Sequence, residues 1–168
     1  MFHRKRRRSN AIDDRAARED CGGSLFLARA KTPYRGWSAV KGAGADCGQL
    51  LYGVYRNTGH LPEDLPLPTD YCLHVAQHRK SMDYVNTVAT YMRQIPESEV
   101  LPGDVVIIEI GLAYAHGALI VKWPDCIIHA IANRGVSCSH GTNAPLLRKK
   151  RRKFFTLKEE YCSPKVSG

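Results

Sequence analysis

Beyond Val100 the chain consists of short, apolar, β-branched runs separated by turn residues, and this texture limits the fold more than any other feature. The runs are Asp104 to Ile110, His116 to Trp123, Cys126 to Ala132, Gly135 to Ser139 and Phe154 to Lys158. Strands so short and so closely spaced are expected to form a meandering antiparallel sheet. Upstream the pattern is helical. A first helix is expected over Ala11 to Ala30, interrupted near Gly22-Gly23, and a second opens at Asp46-Cys47 and ends near Asn57-Thr58-Gly59. Asp70 to Gln94 takes helical spacing from Met82 onwards and is ended by Pro96, after a proline-rich connector from His60 to Thr69. Helices first and a sheet afterwards is the α+β pattern. The 168 residues suit a single core. The expected division is a basic arm and N-terminal helix over 1–30, the body over 31–160, and a tail over 161–168.

The second helix carries the chemistry. Asp46 is a good N-cap, and Gln49 three residues later approaches a capping box. Cys47 falls in the first turn, where unpaired amides and the positive end of the helix dipole favour a thiolate. The Asp46 carboxylate opposes this, so activation calls for a partner, and histidine is the usual one.

Two histidines lie on the following strands, His116 and His129, with Trp123-Pro124-Asp125 breaking the chain between them. A two-residue turn at Pro124-Asp125 needs a positive φ that proline cannot adopt, and would set Asn133 opposite His116. A wider loop from Val121 to Cys126, with Pro124 second in a type I turn, pairs Ala118 with His129. His129 then becomes the diagonal same-face neighbour of His116, at roughly 7 to 8 Å between backbones. Turn chemistry favours His129 as the group orienting His116, with Asn133 as the alternative.

The order Thr32-Pro33-Tyr34-Arg35-Gly36, Asp46-Cys47, Pro102-Gly103-Asp104-Val105-Val106, His116-Gly117-Ala118-Leu119-Ile120 and Ile128-His129-Ala130 resembles the NlpC-type papain-like cysteine peptidases, which cleave peptides of bacterial cell walls. The resemblance covers roughly residues 31 to 137. It is nearest to the cell-wall peptidases encoded beside phage tail genes, which have a long helical insertion between the cysteine and the first histidine. It implies a papain-like fold with N-terminal helices on a small antiparallel sheet. It also implies Cys47 as nucleophile, His116 as general base, His129 as the group holding the imidazole, and Tyr34 beside the nucleophile. No cofactor is implied. Gly48 and Gln49 stand where the family has serine and glycine, and Gly36-Trp37 replaces its double glycine. The implied partners are peptidoglycan peptides and phage tail proteins.

The net charge of +9 is concentrated in two runs, Arg4 to Arg8 and Arg148 to Lys153, which together exceed it, so the rest of the chain is slightly acidic. Such runs read as solvated arms able to attract polyanions. No aromatic residue interleaves them, which leaves sequence-specific nucleic-acid reading unsupported. The basic start is followed by Ser9 to Asp14 rather than an apolar stretch, so no secretory signal is expected, and no segment is long and apolar enough to span a membrane. Synthesis in a cytoplasm, with delivery in a virion tail, fits that pattern. Reduced thiols are then expected for the six cysteines. Cys126, His129, Cys138 and His140 have zinc-ligand types, but an offset of three along a strand sends Cys126 and His129 to opposite faces, so no metal is expected.

Overall fold

The computed structural model describes residues 31–62 and 83–162. The expected N-terminal helix, the first basic run, most of the proline-rich connector, the first part of the Asp70 to Gln94 helix and the end of the tail lie outside the described residues. Within them the fold is α+β. A two-residue hairpin, β1 (Ala39–Val40) with β2 (Gly44–Ala45), leads into helix α1 (Cys47–Asn57). Helix α2 (Asp83–Tyr91) runs into β3 (Met92–Ile95), followed by β4 (Val105–Ile110), β5 (Ala113–Lys122), β6 (Cys126–Ile131), β7 (Gly135–Ser139) and β8 (Arg152–Leu157). These six strands form one antiparallel sheet in the order β3-β8-β4-β5-β6-β7.

Strand alternation divides the core into two layers. Val105, Ile107, Leu119, Ile128, Ala130, Val136 and Phe155 face the helices and pack with Leu50, Leu51, Val54, Tyr55, Tyr84 and Val85. Val106, Ile108, Ala118, Ile120, Ile127 and Phe154 face the other way and are covered by Leu147, Ala144, Trp123 and Val100. Helix α1 ends as its sequence dictates. Thr58 returns its N–H to the Val54 carbonyl, and Gly59 takes a left-handed φ of 77° that other residues resist.

Two expectations are corrected here. Helix α2 stops at Tyr91 rather than Gln94, because Met92 to Ile95 pair with Phe154 to Leu157 as a strand. The residue before a proline disfavours helical ψ, and Ile95 precedes Pro96, so the end of this segment was already biased towards extended backbone. The second basic run is also not a solvated arm. Arg152 and Lys153 belong to β8, the Arg152 guanidinium donates to the carbonyls of Gly141, Lys150 and Leu147, and Arg151 forms a two-pronged pair with Glu109.

Candidate active site

The start of α1 is fixed from several sides. Asp46 Oδ1 accepts from the amides of Gly48 (2.9 Å) and Gln49 (2.8 Å), and its Oδ2 accepts from the amide of Trp37 (2.5 Å). Asp46 is fully buried. The return half of a capping box is replaced, since the Asp46 N–H donates to the Ser38 carbonyl. Tyr34 bridges to Ala45 just upstream, which sets the tyrosine close enough to Cys47 and Asp46 for their charges, after burial, to push its phenol up to about 12. This loop is in turn pinned to the sheet, for Val136 N–H donates to the Thr32 carbonyl at 2.8 Å. A Cβ on Gly135 would overlap that carbonyl, so the approach requires glycine there.

Cys47 meets the sheet at an edge of β5. Ile120 donates to the Asp104 carbonyl on the β4 side, so odd-numbered residues of β5 direct their backbone groups to the β6 side, where the register begins only at Leu119. The sulfur occupies the interval left open. It lies 3.9 Å from the Ala115 carbonyl and takes a hydrogen bond from the Gly117 amide.

His116, the residue between those two, pairs with Ile108 and shares its face of the sheet. Its Nε2 lies 2.8 Å from His129 Nδ1, and His129 Nε2 lies 2.9 Å from Ser139 Oγ. The register that joins them is the expected one: Leu119 opposes Ile128, so Ala118 falls opposite His129. The connecting loop is built differently, with a cis Trp123–Pro124 peptide in place of a type I turn. Asn133 sits in the exposed turn after β6, at a φ of 66°. A consistent proton assignment runs along the chain: His116 Nε2–H donates to His129 Nδ1, and His129 Nε2–H donates to Ser139. That leaves Nδ1 of His116 as an acceptor.

Burial and the Asp46 carboxylate oppose the thiolate that the helix start favours. Burial, with the Asp46 carboxylate adding to it, pushes the Cys47 thiol up to about 11, against the Gly117 and Cys47 amides and the Tyr84 hydroxyl. A helix dipole contributes about 0.3 to 1 kcal/mol, under one pH unit, whereas burial can move a titration by several. Burial therefore wins. His116 is pushed down to about 3 by burial and by its neighbour His129, and His129 to about 4 by burial. Both rings are neutral at pH 7. By strand alternation His116 projects from the face opposite that of Gly117, and among the described residues no hydrogen bond joins it to Cys47. Replacing Asp46 with asparagine should keep the Oδ1 cap and remove the opposing charge, at the cost of the Oδ2 bond from the Trp37 amide. Cys47 should then titrate lower, and its alkylation by iodoacetamide at pH 8 should be several-fold faster. An unchanged alkylation rate would contradict the charge argument.

Two residues of the site were not anticipated from sequence. Ser139 follows from alternation once β6 and β7 are paired, since Ser137 and Ser139 share the face of His129. Tyr84, on α2, donates from its hydroxyl to the Cys47 carbonyl at 3.1 Å. No local signal marks it, because which face of α2 meets α1 is decided by the packing. An apolar cleft begins at Gly48, beside the cysteine, and runs between the helices past Leu51, Tyr52, Tyr84, Val88 and Tyr91. Cys126 and Cys138 are joined in a disulfide on the helix-facing side, correcting the expectation of reduced thiols. Their strands run side by side, which brings the two within bridging range. His129 lies on the opposite face from this pair, as its spacing from Cys126 requires.

No family model and no curated protein matches the chain. Fourteen chains of solved structures do. Among them is NlpC2 from Trichomonas vaginalis, at 18% sequence identity and a TM-score of 0.50 over 83% of this chain. The likeness is one of fold. The chain spans 46% of that protein's length. The mixed α+β architecture, helices against an antiparallel sheet, is what the two have in common.

Proposed function

We propose that this protein is a cysteine peptidase or amidase that hydrolyses peptide bonds of bacterial cell-wall peptidoglycan through a thioester intermediate, in the setting of a phage tail. The observation that carries this reading is the Cys47 sulfur docked against the strand that bears His116, whose imidazole is backed by His129 and Ser139. The distant fold likeness and the order of motifs along the chain support it.

In the reaction, Nδ1 of His116 takes the thiol proton as sulfur attacks the amide carbonyl, and the new C–S bond places negative charge on the carbonyl oxygen. The backbone amide of Cys47 stabilises this oxyanion, since the Gly48 and Gln49 amides are held by Asp46. The imidazolium protonates the departing amine as the C–N bond breaks, and water then hydrolyses the thioester with His116 again as base. A high thiol and a low imidazole oppose a resting ion pair, so proton transfer accompanies attack, after the His116 ring turns towards the β5 edge. Tyr34 lines the nucleophile's side of the site and helps hold substrate. Synthesis in a cytoplasm and delivery in the virion tail complete the reading.

A second reading is a non-enzymatic tail component that uses the same fold to bind. It is favoured by the raised thiol and the absence of a hydrogen bond between Cys47 and His116 among the described residues. Incubation of the purified protein with murein separates the two. Hydrolysis predicts new free amines, and prior treatment with iodoacetamide should block their release. Inert protein with an unreactive Cys47 would favour the binding role. His129→Ala should lower turnover about 10- to 100-fold by freeing the imidazole, whereas Asn133→Ala should leave it near wild type. A larger loss at Asn133 would overturn the assigned orienting role.

A further inference from the structure

The Cys47 sulfur is faced from every element packed on it. Asp46 adjoins it as the N-cap of α1, Tyr34 approaches from the preceding loop, the backbone of Ala115 to Gly117, flanking His116, meets it on β5, and Tyr84 meets it from α2. Tyr84 is the one of these whose side-chain hydroxyl reaches both the carbonyl and the sulfur of Cys47. The ring is buried, 6% exposed, within the helix-facing core. Room for its oxygen is made by a missing side chain: a Cβ on Gly117 would overlap the Tyr84 hydroxyl and crowd Leu51. The hydroxyl has one proton to give, to one acceptor at a time. With the thiol neutral, that proton goes to the Cys47 carbonyl at 3.1 Å. A thiolate is the stronger acceptor, and charge-assisted hydrogen bonds are roughly twice as strong as neutral ones.

We propose that Tyr84 is a positioning residue for the Cys47 nucleophile, its hydroxyl turning from the Cys47 carbonyl to the sulfur as the thiol loses its proton. The vacancy at Gly117 is what admits that hydroxyl. The inference rests on Cys47 as the reacting group, but its test does not depend on turnover.

Tyr84→Phe removes the oxygen and keeps the ring. Alkylation of Cys47 by iodoacetamide, followed at the Cys47 peptide from pH 7 to 11 with Cys162 as internal control, reads thiolate formation directly. Tyr84→Phe is expected to shift the Cys47 profile upward by about one unit, making alkylation at pH 8 about tenfold slower. Gly117→Ala, which displaces the hydroxyl while retaining the phenol, should shift it in the same direction. A merely structural loss moves the profile the other way, because loosening the site lifts the burial that holds the thiol high, and Cys47 then reacts faster. A profile identical to wild type, or a faster reaction, in Tyr84→Phe overturns the proposal. Protein that releases no amines from murein yet shows the slower alkylation sinks the peptidase reading and leaves the role of Tyr84 standing.

Discussion

Murein incubated with the Cys47→Ala variant is expected to release no amines above background, a loss of about 10⁴-fold or more against wild type. The size follows from the chemistry. With the sulfur gone there is no group at the start of α1 to form the acyl intermediate, and the His116–His129–Ser139 chain has no thiol proton to accept. The substitution should leave the helix intact. Asp46 still caps it through the Gly48 and Gln49 amides, and alanine favours helix more than cysteine does. Sedimentation with murein adds the discriminating measurement. If Cys47→Ala binds like wild type and neither releases amines, the chain is a binding module. If Cys47→Ala retains full hydrolytic activity, Cys47 is not the nucleophile.

Acid should unfold the protein well before its carboxylates account for it. His116 and His129 are held neutral in the folded state, at about 3 and about 4. Unfolded, each takes up a proton near pH 6.5. Above that value neither state binds the proton and no stability depends on it. As pH falls from 6.5 towards 4, only the unfolded chain is protonated, so stability is lost across that window at up to about 1.4 kcal/mol per pH unit for each histidine. Urea midpoints measured between pH 7 and 4.5 should fall steeply, and His129→Gln should flatten the slope by about half. A midpoint independent of pH in that range would show that the rings are not held neutral by burial.

The fold was legible wherever a local pattern and the final packing agreed. The four strands from Asp104 to Ser139 emerge close to their expected bounds because each alternates or runs apolar between turn residues and pairs with its neighbour in the chain. The β5–β6 register followed from turn length, although the turn itself is of another kind. What escaped was decided at a distance. Met92 to Ile95 carries helical spacing, yet pairs with β8 from more than fifty residues later. Arg152 and Lys153 look like part of a charge run, yet lie in an interior strand because Arg152 finds three carbonyls. The site follows the same rule. Cys47, His116 and His129 stand in recognisable local settings, whereas Tyr84 enters through the packing of two helices and Ser139 through the pairing of β7. The opposition of Asp46 to a thiolate was legible, because the helix start is visible in sequence, whereas the burial that adds to it is not.

The placement of β8 between β3 and β4 has a consequence for biosynthesis. The ribosome emits residues 152–157 after every other strand of the sheet, so until then β3 has no neighbour in the sheet and β4 offers a bare edge. A nascent chain lacking those six residues exposes two surfaces able to recruit strands from other molecules. Ribosomal stalling or premature termination ahead of Arg152 would release just such a species, a substrate for chaperones rather than a partly working product.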